Sequence, residues 1–229
     1  MFQLKSNKES MRFLVSFSLL ILVSFPGFAQ KQYNEGVVQY NIVVVTGSKE
    51  AQTADFLDGA TLKMFFKNQL LKTELKSILG STTVLHDSRS GNATQMNDYG
   101  EDKVLIRMTK AEYEDANQKF SGIKYDFKND TKKILGYNCK LALITLKDGS
   151  TFKVFYTSDF SFQNKNYGPQ FAGLPGVPLE YEATLGDMKI TYIADKINFD
   201  PISAALFDLP KGGYREMSYQ ENKKLQKKN

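Results

Sequence analysis

The chain has 229 residues, 41% of them apolar and 24% charged, with a net charge of +5, one His and one Cys. That length suits one domain with a sizeable core. A single Cys excludes an internal disulfide, one His and one Cys leave too few ligands for a zinc site, and the mild charge argues against nucleic-acid binding.

The first 29 residues read as a secretory signal peptide rather than as part of the fold. Lys5, Lys8 and Arg12 make a basic start, and Phe13 to Phe25 is apolar apart from Ser16, Ser18 and Ser24. Pro26 ends the run, and Gly27 and Ala29 are small residues suited to cleavage after Ala29. An uncleaved anchor needs about 20 apolar residues, and this run is shorter. Met11 is a second candidate start. Removing residues 1–29 takes away three cations and one anion, so the charge falls from +5 to +3. The expected product is exported, to the periplasm or the medium, with no membrane span after cleavage. It has one β domain over residues 30–218 and a polar, basic, solvated tail over 219–229.

Alternation of apolar and polar residues then dominates. "VVQYNIVVV" (37–45) reads as a first strand, and "SKEAQTADFLDG" after it has room for a short helix. "TLKMFFK", "LLKTELKSI", "TTVLHDS", "ATQMNDY" and "VLIRM" follow as a run of antiparallel hairpins. Residues 110–120 favour a helix, with Thr109 as its N-cap. "CKLALITL" and "TFKVFYT" are joined through Asp148-Gly149, and "PLEYEATL" and "MKITYIAD" through Gly186-Asp187. Pro201 to Leu206 reads as another short helix. The count is nine or ten strands, and one strongly bent antiparallel sheet accommodates them, because a flat sheet of that size curls or splits.

Chemistry is scarce. A nucleophilic site has only Cys139 and His86 to use. A strand Cys among Leu and Ala is ordinarily a small buried hydrophobe, and nothing supplies an orienting partner for the pair. "DYGEDK" clusters Asp98, Glu101 and Asp102 without the spacing of a calcium loop, and reads as an acidic turn. Glu180 and Glu182 share one strand face opposite Leu179, Tyr181, Ala183 and Leu185, the pattern of a half-buried strand. "FAGLPGVPLEYE" (171–182) has its prolines where an anion-binding loop needs N–H groups. It reads as a rigid structural turn, Gly173-Leu174-Pro175-Gly176, that lays Phe171 and Leu174 against the sheet. Both glycines are expected in conformations that other residues avoid. No catalytic residue, metal or cofactor is expected.

"TKKILGYNCKLA" (131–142), "VFYTSDF" (154–160) and "GPQFAGLPGVPLEYE" (168–182) together resemble the GLPGLI family of exported proteins from Bacteroidetes-type bacteria. Val177-Pro178 departs from its usual Leu-Ile, so sheet pairing is expected to start one residue later. More distantly, such domains look like the LolA/LolB lipoprotein carriers. That resemblance implies a mainly β (α+β) unclosed half-barrel, with two or three short helices on or near the concave face. It carries over no catalytic residue.

Two functions follow as expectations. One is binding of a lipid or other apolar small molecule on the concave face, lined by Leu62, Met64, Phe66, Leu71, Leu75, Met96, Val104, Ile106 and Met108. Its three methionines suit varied apolar shapes. The other is action through an envelope protein or a carbohydrate surface, with the face filled by helices.

Overall fold

β-branched and aromatic residues at alternate positions build most of the strands. The computed structural model describes residues 31–45, 57–185 and 188–226. The signal segment, most of the stretch read as a helix after the first strand, and the Gly186-Asp187 turn lie outside the described residues. Within them the strands are β1 (Lys31–Tyr33), β2 (Glu35–Val45), β3 (Thr61–Lys67), β4 (Leu70–Ser77), β5 (Gly80–Asp87), β6 (Ala93–Tyr99) and β7 (Asp102–Met108). Helix α1 (Lys110–Ala116) separates these from β8 (Lys124–Ile134), β9 (Tyr137–Thr145), β10 (Thr151–Thr157), β11 (Phe160–Phe162), β12 (Val177–Leu185) and β13 (Met188–Asn198). Strand β14 (Arg215–Ser218) and helix α2 (Tyr219–Gln226) end the chain's described part.

Twelve strands form one unclosed sheet, in the order β14-β7-β6-β5-β4-β3-β2-β13-β12-β10-β9-β8, and β1 pairs separately with β11. The sheet is mixed rather than purely antiparallel, because β14 runs parallel to β7. Register shifts at Phe127/Thr131, Phe155/Tyr156 and Ala194/Lys196 add local bends. Alternation puts Val38, Tyr40 and Ile42 of β2 and Met64 and Phe66 of β3 in the interior. One end is closed by aromatic packing, with Phe66 stacked on Phe162 at 4.2 Å and Tyr33 on Phe199 at 3.7 Å.

Between β13 and β14 the chain crosses the outer face of the sheet. Lys67 Nζ donates to the Ile202 carbonyl at 2.7 Å and Lys72 Nζ to the Leu206 carbonyl at 3.1 Å. The Tyr214 hydroxyl donates to Asp98 Oδ2 at 3.5 Å. The short helix expected over Pro201 to Leu206 is a 3-10 turn at Ala204–Phe207.

The glycine-proline turn is structural, though not wholly as expected. Phe171 and Leu174 are buried against the sheet. Gly173 has φ +88°, in the left-handed region, but Gly176 has no positive φ. Gly176 is required for space instead: a Cβ there would lie 2.2 Å from the Thr157 carbonyl oxygen. Pairing also starts earlier than expected. Val177 is already opposite Thr157 and Pro178 opposite Tyr156, and the register shift follows. Pro178 is tolerated because pairing of β12 with β13 begins only at Glu180. Its carbonyl accepts a hydrogen bond from Tyr40 at 2.7 Å.

Candidate functional site

The concave face encloses a cavity of about 970 Å³. Its wall includes Leu62 and Met64 of β3, Leu71 and Leu75 of β4, Val84 of β5, Met108 of β7, Phe152 of β10, Tyr181 of β12 and Tyr192 of β13. Residues from both halves of the sheet thus face one space, so the sheet wraps around it. The size is that of a small-molecule site, and the wall mixes apolar side chains with polar and charged ones, among them Gln95, Asp115, Lys119, Asp148 and Glu182.

Five of the nine residues expected to line the face do so: Leu62, Met64, Leu71, Leu75 and Met108. Phe66 belongs to the closed aromatic end, stacked on Phe162 and edge-on to Tyr167. Val104 and Ile106 share the face, but Tyr219 of α2 packs on them and Met217 of β14 lies beside Ile106 in the sheet. Met96 is on the other face. Ala93 pairs with Met108 and Gln95 with Ile106, so odd-numbered residues of β6 point inward, and Met96 pairs with Leu105 on the outside. Gln95 lines the cavity in its place.

Two helices partly cover this half of the face. A capping box starts α1: Thr109 Oγ1 accepts from the Glu112 amide, and Glu112 Oε2 accepts from the Thr109 amide at 2.9 Å. Tyr113 of α1 packs its ring 4.6 Å from His86. The segment read as a solvated tail forms α2 through Gln226, with Tyr219 buried. Tyr219 donates to Asp115 of α1 at 2.6 Å, and Lys223 pairs with the same carboxylate.

His86 is buried, and burial holds its pKa below the ordinary value. Its Nδ1 is 3.1 Å from Asn166 Nδ2, so the imidazole is a bonded part of the wall. Cys139 is buried in the main core, in a cluster that does not include His86. Six strands separate β5 from β9 in the sheet order. Burial pushes the Cys139 thiol up to about 11. Against an ordinary value of 9.0, that lowers the thiolate population at neutral pH about a hundredfold. Native protein is therefore expected to react with a thiol reagent at least about a hundredfold more slowly than denatured protein. Comparable rates in the two states would refute the burial.

The carboxylates are engaged. Glu180 pairs with Lys132 at 2.5 Å and Glu182 with Lys189 at 3.8 Å. Asp98 pairs with Lys103 at 2.9 Å. Among the described residues, no group of three or more His, Cys, Asp or Glu side chains is arranged to hold a metal ion. No described helix is long and apolar enough to cross a membrane.

The lining residues outside the expected set include several aromatics, among them Tyr113, Phe120, Phe152, Tyr181 and Tyr192. Tyr181 could have been found from sequence, since it alternates with Glu180 and Glu182 on a strand read as half-buried.

No family model and no curated protein matches the chain. Among solved structures it is similar to PNGF-II, with 14% identity and a TM-score of 0.50 over 84% of this chain and 33% of that one. The chain thus spans about a third of that protein's length, and the likeness is one of fold. It also aligns with a DUF1329 family protein from Desulfovibrio piger, at 9% identity and a TM-score of 0.35 over 77% of this chain and 90% of that one. A β-barrel-like DUF1849 protein from Brucella abortus aligns at 9% identity and a TM-score of 0.33, over 75% of this chain and all of that one. The chain is a mainly β protein with an unclosed, barrel-like sheet.

Proposed function

We propose that this is an exported, non-catalytic envelope protein of the GLPGLI type that binds a lipid or acyl chain in its concave cavity. The observation that carries this reading is the cavity of about 970 Å³, walled by Leu62, Met64, Leu71, Leu75 and Met108 and left open beside two covering helices. The signal-peptide layout of residues 1–29 supports export, and the three segments quoted above support the kinship.

The test is uptake of N-phenyl-1-naphthylamine, an apolar probe that fluoresces when it leaves water. Met64 is only 2% exposed, so a charge there would threaten the fold itself. Leu75 lines the cavity yet is only half-buried. Leu75→Glu is expected to weaken uptake at least about tenfold, since a carboxylate resists desolvation against an apolar ligand, with the far-UV spectrum unchanged. A protein that takes up no probe, or a Leu75→Glu variant that binds as well as wild type, refutes the reading.

One observation favours a second reading, action through a protein or carbohydrate partner. Ile78 and Leu79 form the tip of the β4–β5 hairpin and are 84% and 56% exposed, where turn chemistry asks for polar or Gly residues. The Tyr99 ring lies against Gly80 of the same hairpin and is 49% exposed. Absence of probe uptake leaves this reading as the better one.

A further inference from the structure

Strands β12 and β13 place Tyr181 directly opposite Tyr192. Their rings stack at 4.6 Å with an interplanar angle of 8°, and both line the cavity. Tyr181 is only 5% exposed. A phenol this deep ordinarily finds a hydrogen-bond partner. Two other buried tyrosines have one: Tyr40 donates to the Pro178 carbonyl and Tyr219 to Asp115. The half-buried Tyr125 does the same with the Ala172 carbonyl at 2.9 Å. The Tyr181 and Tyr192 hydroxyls make no hydrogen bond to any described residue, and neither is sealed off from the cavity.

We propose that Tyr181 and Tyr192 are paired hydrogen-bond donors for the oxygen of an acyl ligand, the carbonyl of an ester or the carboxylate of a fatty acid. This rests on the apolar-ligand reading above and sharpens it. Leu62, Met64 and Leu75 take the chain, while the stacked phenols mark where its oxygen lies. Both phenols keep their protons well beyond neutral pH, because burial raises their pKa values. They therefore act as donors. A donor buried at that depth discriminates between ligands, since one without an acceptor leaves it unpaired.

The experiment displaces N-phenyl-1-naphthylamine with dodecanoic acid, methyl dodecanoate and dodecane. It compares wild type with the Tyr181→Phe/Tyr192→Phe double variant, which keeps both rings. The oxygenated ligands are expected to lose about tenfold in affinity in the variant, while dodecane binds both proteins alike. Loss for acid and ester together assigns a carbonyl oxygen, and loss for the acid alone assigns a carboxylate. Unchanged affinities, or the same loss for all three ligands, overturn the donor role while leaving the cavity a binding site. A wild-type protein that binds neither probe nor ligand overturns the apolar-ligand reading and this inference with it.

Discussion

Gly176→Val is expected to destabilise the protein by about 3 kcal/mol or more, at the upper end of what overpacking costs. A Cβ at Gly176 would lie 2.2 Å from the Thr157 carbonyl oxygen and 2.8 Å from both the Thr157 carbonyl carbon and Tyr156 Cδ2. Two of those three atoms are backbone and cannot rotate away. Thr157 is opposite Val177 where β12 enters the sheet, so relief would mean separating β10 from β12 at the edge of the core. Gly173 is the opposite case. Its φ of +88° disfavours any side chain, yet the nearest atom to an added Cβ is Tyr125 Cε2, at 3.7 Å. Gly173→Ala is therefore expected to cost only about 1 kcal/mol, from backbone conformation alone. Urea unfolding of the two variants beside wild type checks the order. A Gly176→Val protein within about 1 kcal/mol of wild type, or one more stable than Gly173→Ala, would show that the turn is not held closely against β10.

The same turn shows what sequence could and could not supply. That 173–176 is a rigid structural feature follows from its glycines and prolines. Which glycine lacks space and which needs a positive φ depends on a neighbour from β10, and no local pattern encodes that. The hairpins β2 to β7 were legible because local antiparallel pairing leaves a period of two in the sequence, as in Leu62, Met64 and Phe66. Strand β8 was not legible: "KYDFKNDTKKI" is a charged edge strand with no steady alternation. The pairs β1–β11 and β14–β7 are short and parallel, and they join residues far apart in the chain.

Met96 illustrates a different limit. Ala93 and Met96 are three residues apart on a strand, so they face opposite sides, and only one can be inside. The choice is made by register with β7, which buries Ala93 against Met108 and turns Met96 outward. For α2 a local signal did exist. Ser218 and Glu221 form a reciprocal cap, in which the Glu221 amide donates to Ser218 Oγ at 3.2 Å and Glu221 Oε2 accepts from the Ser218 amide at 2.8 Å. The lysines that follow obscured it. The open part of the cavity was not readable at all, because it depends on how far the sheet bends and where α1 lies. Part of the candidate wall comes from β10, β12 and β13, whose inward residues meet the methionine-bearing hairpins only in three dimensions.

Alkaline pH is expected to unfold the protein cooperatively, before its buried tyrosines can ionise. Burial raises Tyr167 from the ordinary 10.0 to about 12, and Tyr113 and Tyr125 reach about 12 as well. Tyr40 and Tyr181 are pushed higher as well, by burial first and then by a neighbouring tyrosine. In the unfolded chain these phenols lose their protons near pH 10. The folded state therefore binds more protons above that pH, and stability falls as pH rises. The contribution of the neutral phenols is complete below about pH 10 and is lost progressively as pH approaches the folded values. For Tyr167, buried beside Phe66, a shift of about two units corresponds to about 3 kcal/mol. Several such groups together, with Tyr125 counting for less because it is only half-buried, are comparable to the stability of an ordinary domain. Tyrosinate absorbance and the far-UV spectrum, followed together through an alkaline titration, should change in one step for the buried tyrosines. A smooth titration of all 12 tyrosines around pH 10 with the β signal intact would mean that water reaches Tyr40 freely, contrary to its burial in the core.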